Sequence, residues 1–458
     1  MIEMEYSRKL PVYKDVDVLV VGAGPAGIAA AVSAARSGAD TLLFDQYGCV
    51  GGAATMGMVG PFMSSFDSTN QEMVVRGVFK EAVDGMVKAG GAIDPKDVKP
   101  CESLSSFYKL GHAHVGPFEA ESYKIICTKL IQDSGAKILL HTQFVDCIRE
   151  ENRIKGIVIA NKSGMSVIRA KEIIDCTGDA DVAARSGVEF MLGAPDGALQ
   201  SATLFFRVYN VNTEELTAHI NEHKDEIKPF FGPFSWLIRE KKEEWGIPRG
   251  EVTLFEGPEK GVYRLNVTRI LDVDGTNADD LTRAELEGLQ QVHHVFDFMK
   301  KYAAGFENAK FMDTAGTVGI RESRHIEGLY KLKGDDVYNC RVPKDSIAVM
   351  ATNMDTHNKD NPGGSFVVLS KGPYFGVPYA CLIPKGIDNL LVAGRSISAE
   401  STAGSAIRMI PCCMAFGQAA GTAAAMAVKK SIQPAEVNPE ELRTELAKQG
   451  AFVGTPNM

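Results

Sequence analysis

DVLVVGAGPAGIAAAVSAARSGADTLLFD, residues 17–45, is the stretch on which the fold turns. Residues 17–21 are a short apolar run that ends at Gly22, as a buried parallel strand does. A helix is expected over residues 25–37, with Pro25 suited to the first helical position and Gly38 to the C-terminal cap. Residues 41–44 read as a second buried strand, which completes one strand–helix–strand unit. Its first joint is Gly22-Ala23-Gly24-Pro25-Ala26-Gly27, a G-x-G-x-x-G. In a chain with 45 glycines the pattern alone says little, and its position between strand and helix gives it meaning. The first glycine allows the tight turn, the second lets a diphosphate approach the backbone, and the third lets helix pack on strand. Free N–H groups and the dipole at the helix start then hold the anion. Asp45-Gln46 ends the second strand, and Asp45 stands 21 positions after Gly24, where an acid reaches ribose hydroxyls.

The residues beyond this unit decide which dinucleotide is meant. Gly51-Gly52-Ala53 and Thr55 come directly after the second strand, and the chain to Gly116 is glycine-rich and irregular apart from a helix over 75–89. A further helix over 118–133 and a short strand over 137–140 precede three β-patterned runs, 144–149, 154–161 and 166–169, which predict a meander. Another buried strand, 173–176, ends at Thr177-Gly178-Asp179. A nicotinamide domain would continue with regular strand–helix units, so this layout points to FAD. No second G-x-G-x-x-G comes after a strand, which argues against a dedicated nicotinamide domain.

Residues 191–350 differ in character, with charged helices (214–228, 283–301) alternating with β-like runs (202–209, 262–267). A last buried strand over 389–393 leads into Gly394-Arg395, and a helix of small residues is expected over 411–429. The expected fold is therefore α/β: an FAD-binding domain of parallel sheet plus three-stranded β-meander, built from residues 1–190 and 351–458, with a mixed α+β substrate domain over 191–350.

The chain resembles the glutathione-reductase-type FAD fold. In particular it is similar to a large bacterial family of FAD-dependent oxidoreductases. The resemblance covers most of the chain and is carried by residues 22–57, IIDCTGDADVAARSG (173–187), DTAGTVGIRESRHIEGLY (313–330) and the distinctive run over 377–425, which contains AGRSISAESTAGSAIRMIPCCMAFGQAAGTAAA. It implies that Gly22, Gly24 and Gly27 cradle the pyrophosphate, with Ala23, Pro25 and Ala26 in the same loop. Asp45 would hold the adenosine ribose, although Glu is commoner there. Gly51, Gly52 and Thr55 would lie near pyrophosphate and flavin, and the Val145 backbone would meet adenine. Gly178 and Asp179 would complete the nucleotide side, and Gly394 and Arg395 would approach the ribityl chain. Ser405, Ala406, Ile407 and Arg408 would offer backbone N–H groups or a cation to the pyrimidine edge, where reduced flavin carries negative charge.

Flavin chemistry also needs a group to move a proton. Asp355 and His357, in the polar run NMDTHNKDNPGG, are the candidates, the Asp orienting the imidazole. Arg321 is a candidate for a substrate carboxylate or carbonyl oxygen, and Tyr374 for a place in the flavin pocket. The expected activity is hydride transfer between a small organic substrate and flavin N5, by dehydrogenation or double-bond reduction. A flavin monooxygenase and a non-catalytic, electron-carrying flavoprotein are the alternatives.

Composition bounds the rest. Forty-nine Lys and Arg against 58 Asp and Glu give a net charge of −9, with no basic run, so nucleic acid is not an expected partner. Nine scattered cysteines form no C-x-x-C and no zinc spacing, which fits reduced thiols in a cytoplasmic protein without a metal. The uncharged stretches over 18–35 and 409–428 are rich in Gly and Ala and read as close-packed elements rather than membrane spans. The expected partners are the substrate and an electron donor or acceptor, and a homo-oligomer is compatible with the sequence.

Overall fold

The computed structural model describes residues 4, 7–98, 114–223, 225–226, 234–357 and 365–458. Strand β1 (Val12–Val21) starts five residues before its apolar run. Residues 12–16 are mostly exposed, but hydrogen bonding in parallel to residues 167–170 keeps them in the sheet. Helix α1 (Pro25–Arg36) is alanine-rich and buried from Ala26 to Ala34, and β2 (Thr41–Phe44) returns parallel to β1. Helices α2 (Val78–Lys88) and α3 (Ala120–Asp133) lead to β3 (Lys137–Leu139), which pairs with β2.

The meander is β4 (Gln143–Glu150), β5 (Arg153–Asn161) and β6 (Gly164–Asp175). The sequence pattern divides β6 in two because Ala170-Lys171-Glu172 breaks the apolar run, whereas the backbone continues straight through. Its first half pairs antiparallel with β5. A short helix α4 (Asp181–Arg185) and strand β7 (Phe190–Leu192) come next.

A second sheet holds β8 (Phe206–Tyr209), β9 (Thr253–Glu256), β10 (Tyr263–Asn266) and β11 (Lys310–Thr314), antiparallel in the order β11-β8-β10-β9. Helices α5 (Thr213–Glu222), α6 (Ser235–Glu240), α7 (Lys242–Trp245) and α8 (Ala278–Tyr302) accompany it. The α8 face of Val292, Val295, Phe298 and Met299 shares a core with Phe206, Leu254 and Leu265. The helix expected over 214–228 ends at Glu222, and residues 227–233 lie outside the described residues.

Strand β12 (Arg324–Ile326) pairs with β7, and after α9 (Gly334–Tyr338) comes β13 (Ser346–Met350). The polar run over 353–364 is not a loop throughout: β14 (Met354–Thr356) pairs with β15 (Ser365–Val367), while 358–364 lie outside the described residues. Strand β16 (Phe375–Pro378) pairs with β13. Strand β17 (Leu390–Val392) then lies parallel to the second half of β6. The main sheet thus runs β3-β2-β1-β6-β5-β4, with β17 also on β6. The chain closes with α10 (Ser401–Ile407), α11 (Ile410–Lys430) and α12 (Pro439–Lys448).

Helix α11 packs on α1 almost backbone to backbone. A Cβ on Gly417 would lie 1.9 Å from the Ala26 carbonyl oxygen, and one on Gly421 would lie 2.2 Å from that of Ala30. Both contacts advance by four residues, so the helices run in the same direction. Ile410 precedes Gly417 by seven residues and Pro25 precedes Ala26 by one, so α11 begins about 9 Å beyond the start of α1. By length and composition α11 could cross a membrane, but 89% of its apolar window is buried inside this protein.

Candidate functional site

The carboxyl ends of β1, β6 and β17 lie together, where ligands bind in open α/β sheets. The three loop glycines have separate roles there. Gly22 has φ +97°, and a Cβ on it would meet the Cys176 carbonyl oxygen at 2.5 Å. A Cβ on Gly27 would lie 1.8 Å from the Gly22 carbonyl oxygen, so this bare position is what lets helix meet strand. A Cβ on Gly24, the N-cap of α1, would meet nothing within 4 Å. Its bareness serves no protein contact and leaves room for a ligand against the backbone. No side chain caps this helix start, whose first N–H groups include those of Ala26 and Gly27, Pro25 having none.

The surrounding segments complete a cradle. Asp45 accepts from Ala23 N at 2.6 Å and from Tyr47 N at 2.8 Å, tying the end of β2 to the loop. Burial raises the pKa of its carboxyl, against the pull of those bonds. Gln46 is exposed, whereas the Tyr47 side chain turns inward and hydrogen-bonds to Thr317. Gly51 N donates to Ala23 O at 2.8 Å, and a Cβ on Gly52 would press on Gly24 Cα at 2.9 Å, with Ala53 in the same short turn. Thr55 donates its hydroxyl to Val50 O at 3.0 Å, which holds the Gly51-Gly52 turn beside the loop. Val145 stands at the break in register between Phe144 and Asp146, where the β4–β5 ladder is interrupted and backbone groups are released.

At the far side, Asp179 accepts from Arg395 and from Ser323, both at 2.5 Å. A Cβ on Gly178 would lie 3.0 Å from the Arg395 guanidinium, and one on Gly394 would lie 3.5 Å from Ala26 Cβ. Arg395 Nε is buried without a partner among the described residues. An uncapped helix start, a bare N-cap and an orphaned guanidinium N–H together fit a diphosphate. We expect Gly24→Ala to keep the apoprotein melting point while weakening nucleotide retention about tenfold or more, because the new methyl occupies only ligand space. Gly250→Ala, where a Cβ also meets nothing within 4 Å, should alter neither. Retention is read as bound chromophore after gel filtration.

A second cluster lies near the start of α11. Arg408, at the joint of α10 and α11, donates to Gln200 Oε1 at 2.6 Å and to Asp355 O at 3.1 Å, with the Asp355 carboxylate at 3.8 Å. His357 Nε2 lies 3.0 Å from Asp355 Oδ2. An ionised carboxylate only accepts, so Nε2 carries the hydrogen and Nδ1 the lone pair. The His357 and Arg408 side chains are only about a tenth exposed. Burial pushes His357 down and outweighs the pull of Asp355, leaving its pKa at about 4. Burial alone would raise Asp355, but His357, Arg408 and Arg321 together hold it at about 2. The Arg321 guanidinium donates to Ser201 O at 2.5 Å and approaches Asn266 Oδ1 at 3.4 Å.

Two expectations need correction. Ser405, Ala406 and Ile407 lie inside α10, where their N–H groups serve the helical ladder. The Ser405 hydroxyl donates to Thr402 O and accepts from Asp355 N, which fixes β14 to α10. Among the described residues, the N–H groups without a helical acceptor instead belong to Ile410 and Cys412, ahead of the first α11 bond from Cys413 N to Met409 O. Tyr374 is not brought to the cluster; its ring packs edge-on against Phe452 in the C-terminal tail, because β16 faces that tail. Sequence reasoning also missed Gln200, Asn266, Arg249 and Tyr47, which stand in no motif.

The family model for FAD dependent oxidoreductases matches residues 17–446. Thiamine thiazole synthase from Methanococcus maripaludis is 30% identical over 173 residues, which is 36% of this chain and 56% of that protein. Digeranylgeranylglycerophospholipid reductase from Picrophilus torridus is 26% identical over 202 residues, 43% of this chain and 48% of that one. The chain thus spans about half the length of these curated relatives. Among solved structures, a geranylgeranyl bacteriochlorophyll reductase-like protein from Thermoplasma acidophilum is 14% identical, with 96% of this chain and 84% of that chain covered and a TM-score of 0.47.

Proposed function

This chain belongs to the FAD dependent oxidoreductase family, an enzyme family that uses FAD, and on that footing we propose that it dehydrogenates a small organic substrate by passing hydride to flavin N5. The fold we assign is of glutathione-reductase type, with the FAD domain formed by residues 1–190 and 351–458. The observation that carries the activity is the buried Asp355–His357 pair beside Arg408, next to the helix that overhangs the diphosphate cradle.

FAD supplies the hydride acceptor when bound. The start of α1 and Gly24 would hold its diphosphate, and Arg395, fixed by Asp179, would meet it where β6 and β17 end. Arg408 and the free N–H groups of Ile410 and Cys412 stabilise negative charge beyond that point. The His357 Nδ1 lone pair takes the proton from a substrate O–H or N–H. Asp355 fixes the imidazole tautomer and balances its charge once protonated. A neutral His357 at pH 7 favours accepting a proton, hence substrate oxidation. Electrons then leave to an acceptor of another kind, and we place the enzyme in the cytoplasm.

The test is anaerobic titration of the FAD-loaded enzyme with hydroxy acids, amines, sugars and enones, read by flavin absorbance. Bleaching by a saturated substrate is the expected result; bleaching by none of them, in protein that dithionite does reduce, would sink the proposal. The pH profile gives a separate check. Since the His357 pKa is about 4, reduction by substrate should hold its rate as pH falls through 6.5 and decline only towards 4. A limb centred near 6.5 that disappears in His357→Asn would contradict this assignment. Stability has the same sign: the unfolded chain binds the extra proton between about pH 6.5 and 4, so His357 destabilises the fold as pH drops through that window.

A further inference from the structure

Arg321 sits among like charges. Arg408, Arg249 and Arg269 all act on it at close range, and Asp355 is the one carboxylate that does so appreciably. The nearby acids each have a closer partner: Glu251 pairs with Arg249 at 3.1 Å, Glu322 bonds to His325 at 3.2 Å, and the charge of Asp355, which a neutral His357 does not cancel, faces Arg408 at 3.8 Å. Among the described residues no carboxylate lies within 4.0 Å of the Arg321 guanidinium, whose acceptors are neutral oxygens of Ser201 and Asn266. Asn266 Oδ1 also lies 3.4 Å from Arg249, so one amide oxygen aligns two guanidinium forks. A largely buried cation without a counterion is costly to keep, and an anionic ligand that supplies the missing charge offsets that cost.

We infer that the substrate is an organic monocarboxylate whose CO2− is held by Arg321, with Arg249 and Asn266 orienting the fork. One uncompensated guanidinium matches one negative charge, and a planar fork matches the planar carboxylate. Arg321 comes from the chain between β11 and β12, whereas Arg408 comes from the joint before α11. The substrate anion and the flavin charge therefore have separate cations. The inference rests on the hydride-transfer reading of the same site, since it names what that site binds.

Binding without turnover tests it. FAD-loaded wild type, Arg321→Met and Arg321→Lys are titrated with acetate, pyruvate and benzoate, and with acetamide, pyruvamide and benzamide, while the flavin absorbance shift and the heat of binding are recorded. FAD content is measured first in each variant. Carboxylates should bind saturably and amides should not. Arg321→Met should weaken carboxylate binding about 10- to 100-fold with FAD content unchanged, and Arg321→Lys should restore part of it. Should Arg321→Met fail to retain FAD, the comparison of wild type with Arg321→Lys and of acids with amides still decides. Equal binding of amides, unchanged carboxylate affinity in the variants, or no carboxylate binding would each overturn the inference. Neutral substrates that bleach the flavin while carboxylates fail to bind would remove this inference and leave the hydride-transfer reading. Carboxylate binding through Arg321 with no substrate bleaching would do the reverse.

Discussion

Gly417→Val protein will lose most of its FAD on gel filtration and will unfold before the wild type. A Cβ at this position would lie 1.9 Å from the Ala26 carbonyl oxygen and 2.9 Å from Ala26 Cα, both backbone atoms that cannot rotate aside. The helices must separate or shift, at a cost on the order of 3 kcal/mol or more. In a chain of this size that is only about 3 °C in Tm if unfolding is one transition, so cofactor retention is the more sensitive readout. The reason is geometric: Ala26 belongs to the helix start beside the diphosphate cradle, and α11 carries its own free N–H groups about 9 Å further on. Displacing one helix against the other spoils both ends of the cofactor site together. Wild-type FAD content in Gly417→Val would show that this contact does not set the spacing.

His357→Ala should lower the rate of anaerobic flavin reduction by substrate about 10²- to 10⁴-fold at pH 8, the range expected when a positioned proton acceptor is removed. Reduction by dithionite should not change, because it needs no proton acceptor in the substrate site. Asp355→Asn should lose less. Its amide still orients the imidazole, but it can donate to Nε2 and place the hydrogen on Nδ1, the wrong nitrogen. Stopped-flow absorbance measures both variants. A rate loss below tenfold in His357→Ala would exclude His357 as the proton acceptor.

The parts of this architecture that can be read from the chain are those whose cause is local. The strand–loop–helix–strand unit over residues 17–45 matches β1, α1 and β2 closely because periodicity, Pro25 and the glycines are all neighbours in sequence. Elements held by distant pairing read short. The exposed start of β1 has no apolar signature, yet β6 keeps it in the sheet; β6 itself divides on pattern at residues 170–172, where polar side chains sit on a continuous ladder. The same limit explains the site. Asp355 and His357 are two residues apart and are legible as a pair, whereas Gln200, Asn266 and Arg249 join them only through tertiary structure. The resemblance sets Thr55 and Ser405 near the cofactor, but a likeness of motifs does not reveal their backbone partners, Val50 O and Asp355 N.

The contact between α1 and α11 also has a consequence for how the protein is made. Ala26 and Gly417 touch although 391 positions separate them. At 5–20 residues per second, α1 leaves the ribosome roughly 20–80 s before its partner helix is synthesised. Throughout that interval the side of it that meets Gly417 and Gly421 in the finished protein has no cover. The glycine loop is among the first segments translated, but its cofactor cannot be locked in until nearly the last. Nascent chains stalled before residue 410 should therefore be substrates for chaperones and proteases, and FAD capture should mark the completion of synthesis.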